Sequence, residues 1–119
     1  NIDQIGSTLS PLKSGRKDYI LMLPGKNDYY GTLLHSCNSS LGLDMEIATD
    51  YYGSKDFTRL FYTRVYDQKV FVAGKIPSVL FTSGITMNNN KPFDTADTLD
   101  MAVLKKRVWL IYNWLDRLI

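Results

Sequence analysis

The 119 residues make about four-fifths of a typical domain, which leaves room for one core and not two. Hydrophobic residues at 45% and charged residues at 22% exclude a globally disordered chain, and 14 basic against 12 acidic side chains, a net +2, is too weak a field to gather nucleic acid. The longest apolar or aromatic runs, such as Val108 to Tyr112, are five residues, far short of the ~20 that cross a bilayer, so no membrane span is expected.

Residues 1–7 read as a short strand, with Ile2 and Ile5 flanking Asp3 and Gln4 and Gly6-Ser7 ending the run. The chain is therefore expected to start inside a fold. Ser10-Pro11 and Ser14-Gly15 mark a loop, and residues 18–23 form a continuous apolar run closed by Pro24-Gly25, the pattern of a strand buried on both faces. The connection between these strands is too short for a crossover helix, so they should pair antiparallel. Asn27 or Asp28 can cap a helix through Leu33, Leu34, Cys37 and Leu41, with Gly42 placed for a left-handed stop. Residues 45–49 suit another short strand, and 50–54, with Tyr51, Tyr52 and Gly53, an aromatic turn of the kind that carries binding surfaces.

Residues 66–73 read as a short helix ended by Gly74, and Ile76-Pro77 leads into a β-branched, aromatic strand at 78–82. After Ser83-Gly84, residues 86–92 form a polar loop with three asparagines, which tolerate unusual backbone angles. Asp100 can cap a final helix on which Met101, Leu104, Val108, Ile111, Leu115 and Leu118 make one apolar stripe. Lys105, Lys106, Arg107, Asp116 and Arg117 should then face solvent. Strands alternating with helices predict an α/β fold, a mixed sheet flanked by helices.

Self-contained catalytic signatures are absent, and no catalytic residue is assigned: there is no Gly-rich phosphate loop, no G-x-S-x-G and no H-E-x-x-H. Cys37 is the only cysteine and His35 the only histidine; they lie two apart, off a common helix face, so no zinc site of Cys and His side chains can form within this chain. Asp3 stands out as an acid on an apolar strand, where it needs a salt bridge, a hydrogen bond or a cation.

Three segments in order resemble one family. Asn-Ile-Asp-Gln-Ile-Gly at 1–6 is similar to the N-[IL]-D-M-[IV]-G strand of the di-zinc aminopeptidases, the clan that also holds glutamate carboxypeptidase, glutaminyl cyclase and the transferrin receptor ectodomain. Tyr66-Asp67-Gln68 through Phe71 to Ile76-Pro77 resembles its S-D-H-x-x-F and G-I-P segment, and Gly84 through residues 91–97 its G-x-H-x-D-Y-H-x-P-x-D-T-x-D loop.

The resemblance covers almost the whole chain and implies that residues 1–119 are the C-terminal part of a single zinc-aminopeptidase-like domain, acting on N-terminal peptide bonds of a peptide or small amide substrate. It implies zinc as cofactor, with Asp3 as a metal ligand. It also places Asp67, Gln68, Thr86 and Asn90 in the cleft, where Gln68, Thr86 and Asn90 stand at family histidine positions. An amide is a poor zinc donor, so Asn90 implies at most one metal position here. The family's H-x-D, bridging aspartate and Glu-Glu pair would come from a missing N-terminal half as partner, and a periplasmic or secreted location follows from the resemblance alone. The alternative is a non-catalytic binding or interaction domain on the same fold, as the transferrin receptor ectodomain resembles the peptidases without their activity.

Overall fold

The computed structural model describes every residue except 10–11, 24–27, 51–52, 65–66, 87 and 89, with the backbone alone at 61, 62 and 64. Expectations at Ser10, Pro11, Pro24, Gly25, Asn27, Tyr51, Tyr52, Tyr66, Met87 and Asn89 lie outside the described residues. The elements run β1 (Tyr19–Leu23), α1 (Asp28–Leu41), β2 (Glu46–Ala48), α2 (Lys55–Arg64), α3 (Gln68–Ala73), β3 (Leu80–Thr82) and α4 (Met101–Leu118), with a 3-10 turn at Ala96–Thr98 before α4.

The fold is α/β: the described residues form a three-stranded mixed sheet in the order β2-β1-β3 accompanied by four helices. β1 is apolar at every position, so both of its faces must be covered, and all five residues are buried. That demand makes it the central strand. It pairs parallel with β2, Ile20 opposite Ile47, through the crossover helix α1, and antiparallel with β3, Met22 opposite Phe81. One core lies between the sheet and helices α1 and α4, built on Ile20, Met22, Leu34, Phe81, Leu110 and Trp114. On the opposite face Tyr19, Leu21, Leu23 and Leu80 pack with Val72 and Ile85. Each fully buried Leu or Ile adds roughly 1.5–3 kcal/mol to such a core.

The N-terminal segment does not pair with β1. The apolar strand β3 takes that place, and the segment runs parallel along its other edge. Ile2 bridges Phe81, the Phe81 N–H donates to Asn1 O at 2.9 Å, and the Asp3 N–H donates to Phe81 O at 3.1 Å. The ladder ends after one bridge because Gln4 turns into the left-handed region at φ 58°, where its carbonyl takes the Ser83 N–H and hydroxyl.

Helix α4 is rotated from the orientation its most obvious stripe predicts. Val103, Arg107, Leu110, Ile111 and Trp114 are buried, whereas Met101, Val108 and Leu115 are exposed. Two polar anchors set the rotation. The Trp114 indole donates to Tyr30 O at 2.9 Å, and its ring meets Phe81 edge-on at 5.1 Å. Arg107, expected on the solvated face, is fully buried, with its Nε bonded to Tyr19 O and Nη1 to the carbonyls of Ile5 and Ser7, each at 2.7 Å. The Asp100 carboxylate caps α4 through the Val103 N–H at 3.1 Å, as the sequence predicts. Helix α2 is not among the elements expected from the sequence, and among the described residues no helix is long and apolar enough to cross a membrane.

Candidate functional site

The edge alignment of residues 1–3 with β3 carries Asp3 to the end of the sheet beside the start of α3. Asp3 is half-buried, and burial first, then the nearby charge of Asp67, hold its carboxyl above the usual carboxylate range. Asp67 occupies the N-cap of α3, its own side chain exposed and not bonded to the helix N–H groups. Gln68, next in the chain, is buried, and its Oε1 accepts from Asn1 Nδ2 at 3.0 Å. The fold thus gathers Asn1, Asp3, Asp67 and Gln68 from segments more than sixty residues apart.

The other two sequence-selected positions are arranged differently. Thr86 is half-buried just past Ile85, which packs against the second core. Asn90 is exposed on a turn in which the Lys91 N–H donates to Asn88 O, and its backbone is left-handed at φ 58°. An asparagine accepts that conformation at small cost. His35 points to solvent from α1 and Cys37 into the core, so the pair is split as the spacing implies.

Asn1 was not selected by sequence reasoning, and neither was Arg107. Arg107 had a readable signal: Val103, Arg107, Leu110 and Trp114 follow a 4-3-4 spacing, which puts the arginine in line with three core residues. It ties β1 to the segment that bears Asp3.

Two depressions flank this region. A groove of about 290 Å³ opens between Asn1 and Ile2 at the sheet edge and Ile111, Trp114 and Leu115 of α4. A larger cleft of about 1460 Å³ lies beyond the carboxyl ends of β1 and β2, where open α/β sheets place ligands. Tyr29, Tyr30 and Ile76 give it an apolar wall, and its charged lining is mixed, Lys55, Arg59 and Lys75 with Asp28 and Asp50.

Zinc takes three or four protein ligands of the Cys, His, Asp and Glu types. Among the described residues no three such side chains come together, and Asp3 with Asp67 offers two carboxylates at most. The described residues by themselves do not complete a zinc site. No family model, curated protein or solved structure matches the chain.

Proposed function

We propose that the chain is the C-terminal part of a zinc-aminopeptidase-like domain with an impaired metal centre, in which Asp3 is the remaining ligand position. The observation that carries this reading is the pairing of Asp3 with Asp67. Residues from the first and second resembling segments, distant in sequence, come together where Asn1 Nδ2 donates to Gln68 Oε1 at 3.0 Å, and burial first, then the like charge of Asp67, raises Asp3 toward protonation. Such a carboxylate pair favours a cation, while the amides of Gln68 and Asn90 in place of imidazoles weaken it for zinc. The chain by itself should neither turn over aminoacyl-anilides nor bind zinc at better than weak affinity, because it lacks a general base and a third ligand. Zinc-dependent turnover abolished by Asp3→Ala would overturn this reading. Joined to a half that carries H-x-D and Glu-Glu, the Asn90→His variant should raise bound zinc toward two per chain; two tight zincs in the unaltered protein would remove Asn90 from the metal position.

A second reading, a non-catalytic binding domain on the same fold, is favoured by the cleft at the carboxyl ends of β1 and β2. Its apolar tyrosine wall and a rim of three basic and two acidic side chains suit a small molecule or peptide end whose anionic group is set against Lys55, Arg59 or Lys75. Saturable binding of carboxylate-bearing peptides that is lost in Arg59→Glu and untouched by Asp3→Ala would select this reading.

A further inference from the structure

The outer face of α4 carries a second, unburied seam. Met101, Lys105, Val108, Tyr112, Leu115 and Ile119 recur at spacings of 4-3-4-3-4, the a/d rhythm of a helix that packs on another helix. Every one of them is exposed, and five of the six are apolar or aromatic. Tyr112 is 59% exposed and stacks on Trp109, itself 51% exposed, with ring centroids 5.9 Å apart. Soluble surfaces carry single apolar residues routinely, but a continuous apolar seam along one helix marks an interaction face.

The seam is complementary to itself. In an antiparallel pair with its two-fold axis at Leu110, Met101 meets Ile119 of a second copy, Val108 meets Tyr112, and Lys105 meets Leu115, each contact occurring twice. The one polar seam residue, Lys105, then lies beside Asp116 of the other copy. Among the described residues neither Lys105 nor Asp116 takes part in an ion pair, and both are exposed. The charges fit only when the helices run in opposite directions. A parallel pair would set Lys105 against Lys105. The helix is already held by its other face, so pairing does not have to order it.

From these observations we infer that the protein self-associates through the outer face of α4 as an antiparallel two-fold dimer, with Lys105 and Asp116 paired across the interface. The inference does not rest on the proposed peptidase likeness, since it uses neither Asp3 nor the cleft at the carboxyl ends of β1 and β2; it shares only Leu115 with the groove at the sheet edge.

Sedimentation velocity of the 119-residue protein over a concentration series tests it, with circular dichroism confirming that each variant stays folded. The protein should reach a dimer. Lys105→Glu and Asp116→Lys should each weaken it about tenfold, because either change sets two like-charge pairs across the axis. The double variant Lys105→Glu/Asp116→Lys should return the dissociation constant to within about threefold of the starting value. A monomer at all concentrations overturns the inference. So does a dimer indifferent to both single changes, which would locate the contact elsewhere, for instance at the sheet edge beside Ile2, and so does a double variant as weak as the singles.

Discussion

Arg107 stacks its guanidinium 4.8 Å from the centre of the Tyr19 ring and donates from Nε to the backbone carbonyl of the same tyrosine at 2.7 Å. The Tyr19 hydroxyl in turn donates to Ser83 O at 2.7 Å. One residue of the central strand thus links α4, the end of β3 and, through Nη1 of Arg107, the N-terminal segment. Burial pulls the arginine below its ordinary pKa; three carbonyls and an aromatic face replace part of its lost hydration, while Nη2 is buried without a hydrogen-bond partner among the described residues.

Replacing Arg107 by Met keeps the buried stem and removes the donors, which leaves the carbonyls of Tyr19, Ile5 and Ser7 without them. The expected loss is about 2–4 kcal/mol in urea unfolding, with Arg107→Lys recovering only part of it because an ammonium cannot reproduce the planar fork. A loss below about 1 kcal/mol for Arg107→Met would show that the N-terminal segment does not depend on this contact.

The fold was legible where one period dominated. β1 is an unbroken apolar run, and α1 ends at a left-handed glycine, Gly42, so their positions could be read directly. α4 carries three interleaved stripes, and nothing in hydrophobicity alone says that the one containing an arginine is the buried one. α2 is short and mostly polar, so its spacing of Phe57 and Leu60 is a weak signal, and Ser54, which ends an apparent turn, caps the helix by accepting the Phe57 N–H at 3.2 Å. The nearness of Asp67 to Asp3, close enough for its charge to act on the Asp3 carboxyl, is a long-range relationship that no local pattern encodes.

Asp3 makes stability depend on pH in a definite direction. Its pKa is raised in the folded protein, so the native state holds the proton more tightly than the unfolded chain does. The associated stability is present below the unfolded carboxylate pKa and is lost as pH rises through the raised native value. Asp3→Asn should therefore be more stable than the unaltered protein above that window and no more stable below it. Asp67→Asn should shift the Asp3 titration downward, burial still holding part of the rise. Urea midpoints across pH in the presence of a chelator check both. An Asp3→Asn variant less stable at neutral pH would mean that the carboxylate has a favourable partner.

Cys37 lies at 0% exposure in the core beside α4 and β1, so a thiol reagent reaches it only when the structure opens. Labelling should be slow in native buffer and should accelerate with urea in step with global unfolding. Cys37→Ser, which buries a hydroxyl in an apolar site, should cost about 1–2 kcal/mol, moderated by a bond to a carbonyl of its own helix. Fast labelling without denaturant would show that α1 detaches separately from the sheet.

Two helices end in the same hydrogen-bond pattern with different residues at its tightest point. After α1, the Gly42 N–H donates to Ser39 O and the Leu43 N–H to Asn38 O, with Gly42 left-handed at φ 62°. After α3, the Lys75 N–H donates to Val72 O and the Ile76 N–H to Phe71 O, and here the left-handed residue is Lys75 at φ 58°, not the neighbouring Gly74. Both are Schellman stops, which favour glycine at the left-handed position because it has no Cβ. Gly74, at φ −79°, gains nothing from that freedom, and a Cβ there would meet Val70 O at an ordinary 3.5 Å. Moving the glycine by one residue, Gly74→Ala with Lys75→Gly, should stabilise the protein by about 1 kcal/mol, each change contributing about half. Thermal unfolding of the two single variants and the double decides it. The Lys75→Gly step should raise the midpoint on its own, and a fall would mean that the lysine side chain holds α3 by a contact that outweighs the backbone strain.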